Sequence, residues 1–434
     1  MVRLKAKITT GKERILMDSK NHTFEKRCSK AHCRSCNQVG LTGVLDLGMM
    51  PLSDGLLTRE QLAGNEEKFP LEVAYCQNCS LVQILETVPP EKLFCEDYPY
   101  YSSFSKALLE HSRQNVLSLI QRCKLDADSL VVELASNDGY LLKYYVENGI
   151  PCLGIDPAEG PAKAAEKVGV PTLCEFFTKE FAQKLANEEC RADVIHANNV
   201  LAHVKDTNGF IQGIRILLKD DGVAVIEVPY VKDLIDNCEF DTIYHEHLCY
   251  FSVTALDYLF RKNDLYLNDI ERLPIHGGSL RLYIARNEDV QESVWILLEQ
   301  EKQQSVDKFK YYEGFGDKVQ NIRKQMRKLL HGKKKKGKTI AAYGAAAKGA
   351  IMLNFIGIGT DVIDYVVDRN IHKHGKYMPG LHIPIFDPSR LENELPDYVV
   401  ILPWNFKDEI LTQEAGFRDK GGKFVIPIPE PVIV

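Results

Sequence analysis

A dense cluster of ionisable side chains lies past the middle of the chain, within residues 240–252. Tyr244-His245-Glu246-His247 places a phenol, two imidazoles and a carboxylate in four consecutive positions. A zinc protease needs the spacing H-E-x-x-H, whereas histidines two positions apart point about 200° apart around a helix. Histidine titrates near neutral pH, and a neighbouring carboxylate can orient its ring. The cluster therefore predicts a general base in preference to a metal site or a set of structural histidines.

Four cysteines predict a separate, structural metal site. They form two Cys-x-x-Cys pairs, each able to present two thiolates to one tetrahedral Zn²⁺ ion. The four residues are Cys33, Cys36, Cys76 and Cys79. Four thiolates leave no position for water, so the expected ion is architectural and not catalytic. Cys28 and His32 are close enough in sequence to compete as ligands, and two unrelated pairs of buried thiols are the alternative.

Residues 131–142 predict a buried strand, a tight polar turn and the start of a helix. A Rossmann-like sheet binds a nucleotide with such a unit, although a polar turn without a ligand is the alternative. Ser, Asn and Asp occupy the turn where a dinucleotide fingerprint has glycines, so S-adenosylmethionine is expected rather than NAD. The next strand ends at Asp156, whose carboxylate suits two ribose hydroxyls. The predicted cofactor-binding residues are Glu133, Ala135, Asn137, Asp138, Gly139, Asp156 and Asn198.

Short apolar strands alternate with helical segments around this unit, which predicts a doubly wound α/β domain. Strands are expected over 130–134, 152–155, 193–196 and 222–228, and helices over 105–122, 139–148, 160–168 and 207–218. Asn199 and His203 follow the third of these strands. If they begin a helix, their spacing of four places them on one face, toward the cofactor.

A second βαβ unit begins at Lys338, with strands over 339–343 and 365–368. Its turn, residues 344–349, lacks the G-K-[ST] ending of a loop that binds nucleoside triphosphates, so hydrolysis of these is disfavoured. Lys348 stands at the predicted helix start, where it could hold a diphosphate. The charged residues 290–336 predict a helical linker before this unit.

Three further stretches supply candidate substrate-binding residues. Tyrosines and serines around Pro99 predict either an aromatic plug or a polar pocket, and the glycine turn at residues 276–279 predicts either backbone amides against a ligand or a hairpin corner. Trp404 follows another predicted strand, again at a carboxyl edge. The predicted substrate-binding residues are Tyr100, Ser102, Ser103, His276, Gly278, Ser279, Lys348, Arg369 and Trp404.

Composition bounds the organisation and the partners. A chain of 434 residues exceeds what one core usually holds. The 54 basic and 60 acidic residues argue against a nucleic acid or a membrane surface as the partner. No apolar run reaches the roughly 20 residues that span a bilayer, and the first residues carry no signal sequence, so a cytoplasmic protein is expected. Scattered cysteines disfavour a disulfide framework.

Together these motifs resemble the nucleotide-sugar C-methyltransferases, especially the 3-C-methyltransferases of dTDP-4-keto-deoxysugars. The motifs are the cysteine pairs, Tyr98-Pro99-Tyr100-Tyr101-Ser102-Ser103, residues 133–139, Asn199-Val200-Leu201-Ala202-His203, Tyr244-His245-Glu246-His247, residues 276–280, Val367-Asp368-Arg369-Asn370 and residues 379–384. The resemblance covers nearly everything after residue 30. Two loops depart from the family pattern: residues 51–55 replace the usual Pro-Leu-Ala-Asn, and residues 344–349 lack a proline.

The resemblance implies an α/β enzyme of three parts with the sugar nucleotide between them. The three parts are a zinc module (28–95), an S-adenosylmethionine domain (96–289) and a Rossmann-like domain without its own dinucleotide (337–434). Apart from the resemblance, the charged residues 1–27, which show no sustained period, are expected to be a loose tail, and the helical linker (290–336) precedes the last part. The resemblance makes His247 the base, with Glu246 and Tyr244 in the same pocket. Asn199, His203 and Tyr98 would surround the keto oxygen as donors or positioning groups.

Carbon methylation follows chemically from a base beside a ketone, because removal of the adjacent C–H proton leaves a nucleophilic enolate. A nucleic-acid amino-methyltransferase would carry an Asn/Asp-Pro-Pro-Tyr turn where this chain has Ala197-Asn198-Asn199-Val200. An O- or N-methyltransferase, or a catalytically silent binding protein, stays open. The expected partner is a nucleotide sugar, linked to dTDP, with no nucleic acid and no membrane, bound by a monomer or homodimer.

Overall fold

The computed structural model describes residues 23–93 and 101–434, and its strands form three sheets. The strands are β1 (Thr42–Pro51), β2 (Lys68–Tyr75), β3 (Val82–Ile84), β4 (Val131–Leu134), β5 (Cys152–Ile155), β6 (Thr172–Leu173), β7 (Ala192–Asn198), β8 (Leu218–Pro229), β9 (Cys249–Tyr250), β10 (Tyr266–Leu273), β11 (Ser279–Ala285), β12 (Ile340–Tyr343), β13 (Val366–Val367), β14 (Ile385–Phe386), β15 (Tyr398–Ile401), β16 (Lys423–Ile426) and β17 (Val432–Ile433).

The α-helices lie between and around these strands. They are α1 (23–28), α2 (Pro90–Leu93), α3 (Lys106–Cys123), α4 (Lys143–Glu147), α5 (Glu159–Lys167), α6 (Lys179–Asn187), α7 (Thr207–Leu217), α8 (Val231–Asp236), α9 (Val253–Lys262), α10 (Glu292–Gln303), α11 (Phe309–Tyr312), α12 (Phe315–Lys334), α13 (Ala347–Ile356), α14 (Ser389–Glu394), α15 (Lys407–Gln413) and α16 (Ala415–Asp419). None of the helices in the described ranges is both long and apolar enough to cross a membrane.

The N-terminal module is a four-stranded antiparallel sheet in the order β1-β2-β3-β9. Its last strand comes from the central part of the chain, with Gln83 opposite Cys249. Because β9 follows the Tyr244–His247 segment almost directly, this sheet positions that segment. Residues 1–22 of the expected loose tail lie outside the described residues. Its end is not loose: Phe24 of α1 is 8% exposed and packs against Gly43, where an added Cβ would lie 2.6 Å from the ring.

The central sheet has the order β10-β11-β8-β7-β4-β5-β6, in which β4 to β8 are parallel and β11 is antiparallel to both of its neighbours, β8 and β10. This is a Rossmann-like order with β11 inserted beside β8. Every residue of β4 is buried, as expected for a parallel strand covered on both faces. The helix expected over 139–148 is shorter, because Gly139 has φ +75° and turns precede α4.

The C-terminal sheet has the order β14-β13-β12-β15-β16-β17, of which only β17 is antiparallel. In terms of its own strands this is the order 3-2-1-4-5-6 of the dinucleotide-binding fold. The three helices α10 to α12 precede it. Helix α12 buries a stripe of apolar side chains at helical spacing, namely Phe315, Val319, Ile322, Met326 and Leu330. The fold is therefore the predicted α/β arrangement of a small module and two Rossmann-like sheets.

Candidate active site and metal site

The four predicted cysteine ligands meet at one point in the N-terminal module. Their Sγ atoms all lie within 4.8 Å of one another, with Cys33 and Cys79 at 3.4 Å and Cys36 and Cys76 at 3.5 Å. Thiolates about 2.3 Å from a tetrahedral Zn²⁺ would stand about 3.8 Å apart, so this set fits the ion. Cys28 and His32 do not belong to this cluster.

The metal site is hydrogen-bonded to the central domain. The Arg34 guanidinium, between the first two cysteines, donates to Thr87 Oγ1 at 2.7 Å. Asn208 of α7 donates through Nδ2 to the carbonyls of Arg34 and Ser35, at 2.8 and 3.0 Å. An intact zinc site therefore supports the interface on which the Tyr244–His247 segment depends.

The turn after β4 forms the predicted cofactor edge. Ala135 and Asn137 have φ values of +55° and +50°, so the chain makes tight left-handed bends here. An added Cβ at Gly139 would lie 3.1 Å from Val170, which explains the glycine. The Asn137 side chain accepts a hydrogen bond from the Ser102 N–H at 2.9 Å, and the Asp138 side chain accepts one from the Ser103 N–H at 3.1 Å.

Asp156 lies beside this turn, as predicted, but it already has two backbone partners. Its Oδ2 accepts from the Asn137 N–H and its Oδ1 from the Ala158 N–H, both at 2.8 Å. Burial raises its pKa, although these hydrogen bonds oppose the shift. A carboxylate has about four acceptor positions, so ribose hydroxyls can still bind to it. Asp156 therefore shapes the turn and keeps acceptor positions for a ligand.

Several buried polar atoms at this edge have no hydrogen-bond partner among the described residues. They are Oγ of Ser136, Oδ1 of Asp138 and Oδ1 of Asn198. Burial raises the pKa of Glu133 well above its ordinary value. A hydrogen bond from the Tyr140 hydroxyl opposes this shift only in part. Buried polar groups are normally paired, so this set fits a polar ligand. Its place at the carboxyl ends of β4 and β7 fits S-adenosylmethionine.

A buried ion-pair network beside this edge was not predicted. Glu227 of β8 is 1% exposed and bonds Arg281 Nη2 at 2.7 Å and His111 Nε2 at 2.9 Å. Burial alone would raise its pKa, but His111 and Arg281 lower the pKa below the ordinary value. The sequence did contain a signal for this network, because a charged residue stands inside each of the otherwise apolar stretches 222–229 and 279–285. The network anchors α3 and β11 around the cofactor edge.

His247 is held in one orientation by two hydrogen bonds. Its Nδ1 lies 3.0 Å from the Thr242 carbonyl, which can only accept, so Nδ1 carries the proton. Its Nε2 lies 2.8 Å from the Tyr244 hydroxyl, and the rings of the two residues are 4.1 Å apart. In the neutral ring Nε2 therefore has the free electron pair, accepting from the phenol. This is the tautomer that a general base needs at Nε2.

A β-turn separates the side chains of the two histidines. The His247 N–H donates to the Tyr244 carbonyl at 2.9 Å, which closes a β-turn with residues 245 and 246 at its centre. His245 is 1% exposed and points to β2, with Nε2 3.3 Å from the Pro70 carbonyl. Burial lowers its pKa. His245 therefore supports the turn, whereas His247 and Tyr244 share a site.

His203 joins this site, although no helix begins at Asn199. Asn199 has φ +56° and its N–H bonds the Glu227 carbonyl at 2.8 Å, so it does not begin a helix, and only the short 3-10 turn Leu201–His203 follows. The His203 ring lies edge-on to His247 with 4.7 Å between centroids. Burial lowers the pKa of His203 to about 4, so its ring is neutral at physiological pH. The carboxyl end of β7 thus leads from the cofactor edge to the base.

Lys348 and Trp404 meet on the far side of the same segment. Trp404 Nε1 donates to the fully buried carboxylate of Asp241, at 2.9 Å to Oδ2. Lys348 donates to Asn405 Oδ1 at 2.7 Å and lies 4.9 Å from the Trp404 ring centroid. Burial raises the pKa of Asp241 to about 7, and the Lys348 charge opposes the shift. The C-terminal domain therefore fixes Asp241. The next residue, Thr242, supplies the carbonyl that orients His247.

The other predicted substrate-binding residues are spread more widely. Gly278 and Ser279 form the corner between β10 and β11, where an added Cβ on Gly278 would overlap the Asp233 carboxylate. Arg369 is exposed and pairs with Glu409 at 3.3 Å, so it does not join the cluster of Lys348 and Trp404. Tyr98, Tyr100 and the side chain of His276 lie outside the described residues.

Three family models and one relative match this chain. Residues 33–94 match a family model described as "Putative zinc binding domain", residues 108–269 a "Methyltransferase domain", and residues 274–429 a "C-methyltransferase C-terminal domain". The chain is 35% identical to the C-methyltransferase NovU of Streptomyces niveus over 93% of this chain and 96% of that protein. It belongs to the C-methyltransferase family. The predicted class of enzyme and its cofactors, S-adenosylmethionine and zinc, are therefore confirmed.

Solved methyltransferase structures also align with part of the chain. An S-adenosylmethionine-dependent methyltransferase from Clostridium acetobutylicum covers 42% of this chain and 92% of its own, with 13% identity and a TM-score of 0.34. Magnesium protoporphyrin IX methyltransferase from Synechocystis, with bound S-adenosylmethionine, covers 42% of this chain and 82% of its own, with 13% identity and a TM-score of 0.31.

Proposed function

We propose that this C-methyltransferase acts on a nucleotide-linked 4-keto-deoxysugar and methylates carbon 3, next to the ketone. The nucleotide is dTDP. Carbon bound to hydrogen is not a nucleophile until a base removes the proton, and the adjacent ketone stabilises the resulting enolate. The observation that carries this proposal is the orientation of His247, which presents a basic Nε2 while its Nδ1–H is bonded to a carbonyl.

His247 takes the proton from the substrate carbon at Nε2. The Tyr244 hydroxyl now lies 2.8 Å from Nε2, close to the position that the substrate C–H must approach, so the phenol has to yield part of that position. The Thr242 carbonyl stabilises the imidazolium that forms, because the Nδ1–H bond strengthens as the ring becomes positive. A positioned base of this kind contributes about 10²–10⁴-fold to the rate.

The enolate oxygen needs a hydrogen-bond donor. His203 is neutral at physiological pH and contacts the His247 ring, so its single N–H can serve without adding charge to the site. Asn199 and Tyr98 are the other proposed donors or positioning groups. Asn199 is four positions before His203 at the end of β7, and Tyr98 lies outside the described residues.

S-adenosylmethionine, when bound, supplies an electrophilic methyl group. The residues proposed to hold it are Glu133, Ala135, Asn137, Asp138, Gly139, Asp156 and Asn198, which line the carboxyl edge of the central sheet. The proposed substrate contacts are Tyr100, Ser102, Ser103, His276, Gly278, Ser279, Lys348, Arg369 and Trp404. Within this set, Lys348 and Trp404 are supported by their place beside the segment that carries the base.

A product analysis across nucleotide sugars tests this proposal. Purified protein is incubated with S-adenosylmethionine and with dTDP-, GDP- or CDP-linked 4-keto-deoxysugars, and the product is analysed by NMR. We expect a new methyl group on carbon 3 of the dTDP sugar. Methylation of an oxygen or nitrogen, or of carbon 5, would contradict the proposal.

A further inference from the structure

The carbonyl that fixes the His247 ring belongs to a 3-10 turn packed against the C-terminal domain. This turn, Phe240–Thr242, ends at the residue whose carbonyl lies 3.0 Å from His247 Nδ1. The Phe240 ring is fully buried and its centroid lies 5.2 Å from that of Phe355 in α13. A 3-10 turn of three residues has few hydrogen bonds of its own. Its orientation therefore depends on the side-chain contacts that it makes with other parts of the chain.

Asp241, the middle residue of this turn, is bound by an indole of the C-terminal domain. Its fully buried carboxylate accepts from Trp404 Nε1, at 2.9 Å to Oδ2 and 3.2 Å to Oδ1. The indole N–H can only donate, and a buried carboxylate without a partner is costly. The two side chains therefore hold each other, and the turn is held on the C-terminal domain.

The position of Trp404 is set by the edge of the C-terminal sheet where β12 and β15 end. Pro403 separates Trp404 from β15 and packs against Gly344, where an added Cβ would overlap the proline ring. Lys348 lies 4.9 Å from the indole ring centroid and donates to Asn405 Oδ1 at 2.7 Å. The indole is therefore fixed by the same edge that is proposed to contact the sugar nucleotide.

We propose that Trp404 and Asp241 are positioning residues for the base, His247. Their hydrogen bond keeps the next carbonyl, that of Thr242, within bonding distance of Nδ1–H, so the free electron pair stays on Nε2. If this carbonyl turned away, the neutral ring could carry its proton on either nitrogen, and fewer molecules would present a basic Nε2. The inference rests on the proposed function for the role of His247 as base. It adds that the domain proposed to bind the sugar nucleotide also orients that base.

The first test compares two replacements of Asp241. Asp241→Ala removes the acceptor, whereas Asp241→Asn keeps one oxygen for the indole N–H in a side chain of the same shape. Asp241→Ala should lower kcat at least about tenfold, with the KM for S-adenosylmethionine unchanged within about twofold, because only the chemical step needs the oriented base. Asp241→Asn should restore kcat to within about threefold of the unchanged protein.

Histidine NMR gives a readout that a general loss of stability would not change. The nitrogen signals of the His247 ring, identified by their absence from His247→Asn, report which nitrogen carries the proton. The unchanged protein and Asp241→Asn should carry it on Nδ1, and Asp241→Ala should shift it toward Nε2. Melting temperatures measured beside these spectra show that each variant is folded.

Replacement of the indole tests the other half of the hydrogen bond. Trp404→Phe removes Nε1–H and keeps an aromatic ring beside Lys348, so it should lower kcat as Asp241→Ala does. The double variant should lose no more than the larger single loss, because both changes remove the same bond. Trp295→Phe is the matched control: this tryptophan is on α10 and is 55% exposed, so kcat and the tautomer should not change.

The outcomes distinguish this inference from the proposed function. If the unchanged protein neither exchanges the substrate proton nor methylates carbon, the proposed function fails, while the tautomer comparison, made without substrate, still tests the two positioning residues. If it does both, the positioning role is refuted when Asp241→Ala keeps either its kcat or the proton on Nδ1. Failure of Asp241→Asn to restore kcat, or losses that multiply in the double variant, would refute it equally.

Discussion

Replacement of His247 by Asn tests the chemistry most directly. The Asn amide can still donate to the Thr242 carbonyl that now accepts from Nδ1 at 3.0 Å, so the turn should survive. It has no basic atom in place of Nε2, however, and cannot take a proton from carbon. Removal of a general base costs about 10²–10⁴-fold in rate, or roughly 3–5 kcal/mol of transition-state stabilisation.

Proton exchange in D₂O measures this step apart from methyl transfer. The unchanged protein should replace the hydrogen next to the ketone with deuterium, as followed by NMR, and His247→Asn should lose exchange and methylation together while both ligands still bind. His245→Asn is the matched control: its ring contacts the Pro70 carbonyl and Phe69, away from the site, so stability should fall by about 1 kcal/mol with exchange largely retained. Undiminished exchange in His247→Asn, or equal losses in both variants, would refute the reasoning.

Three further predictions follow from the zinc site, the cofactor edge and the buried acid. One zinc ion per chain is expected by metal analysis, and Cys76→Ser should lose it and unfold at lower temperature, because four-thiolate sites contribute directly to folding; metal-free native protein would contradict this. Asp156→Ala should weaken S-adenosylmethionine binding 10–100-fold, about 1.5–3 kcal/mol, with little change for the sugar nucleotide by calorimetry; the reverse order would place the cofactor elsewhere. Because the folded-state pKa of Asp241 is raised to about 7, its contribution to stability is present below about pH 4 and lost as the pH rises through 7. Asp241→Asn should remove that part of the pH dependence of the melting temperature, and an unchanged slope between pH 4 and 7 would show that Asp241 is ionised throughout.

Local sequence was enough for much of the fold and for the type of chemistry. Central parallel strands are buried on both faces, so they appear in a sequence as short apolar runs. The runs at 131–134 and 152–155 are such strands, β4 and β5, in the structure. The two cysteine pairs specify their metal by ligand chemistry and spacing alone. The sequence did not show that Phe24, inside the expected tail, packs on Gly43, or that Asn199 has a left-handed backbone bonded to Glu227 and so begins no helix.

Tertiary structure decided which residues meet. The amino-acid order places His245 and Glu246 beside His247, but a turn closed by one backbone hydrogen bond sends His245 to β2 and leaves the Glu246 side chain buried. Trp404 reaches Asp241 across 163 positions of sequence. No local pattern predicts such pairs, because burial and packing between separate sheets create them. Residue types therefore determined the chemistry available to this chain. The orientation and protonation of the active-site side chains depend on how the three sheets pack together.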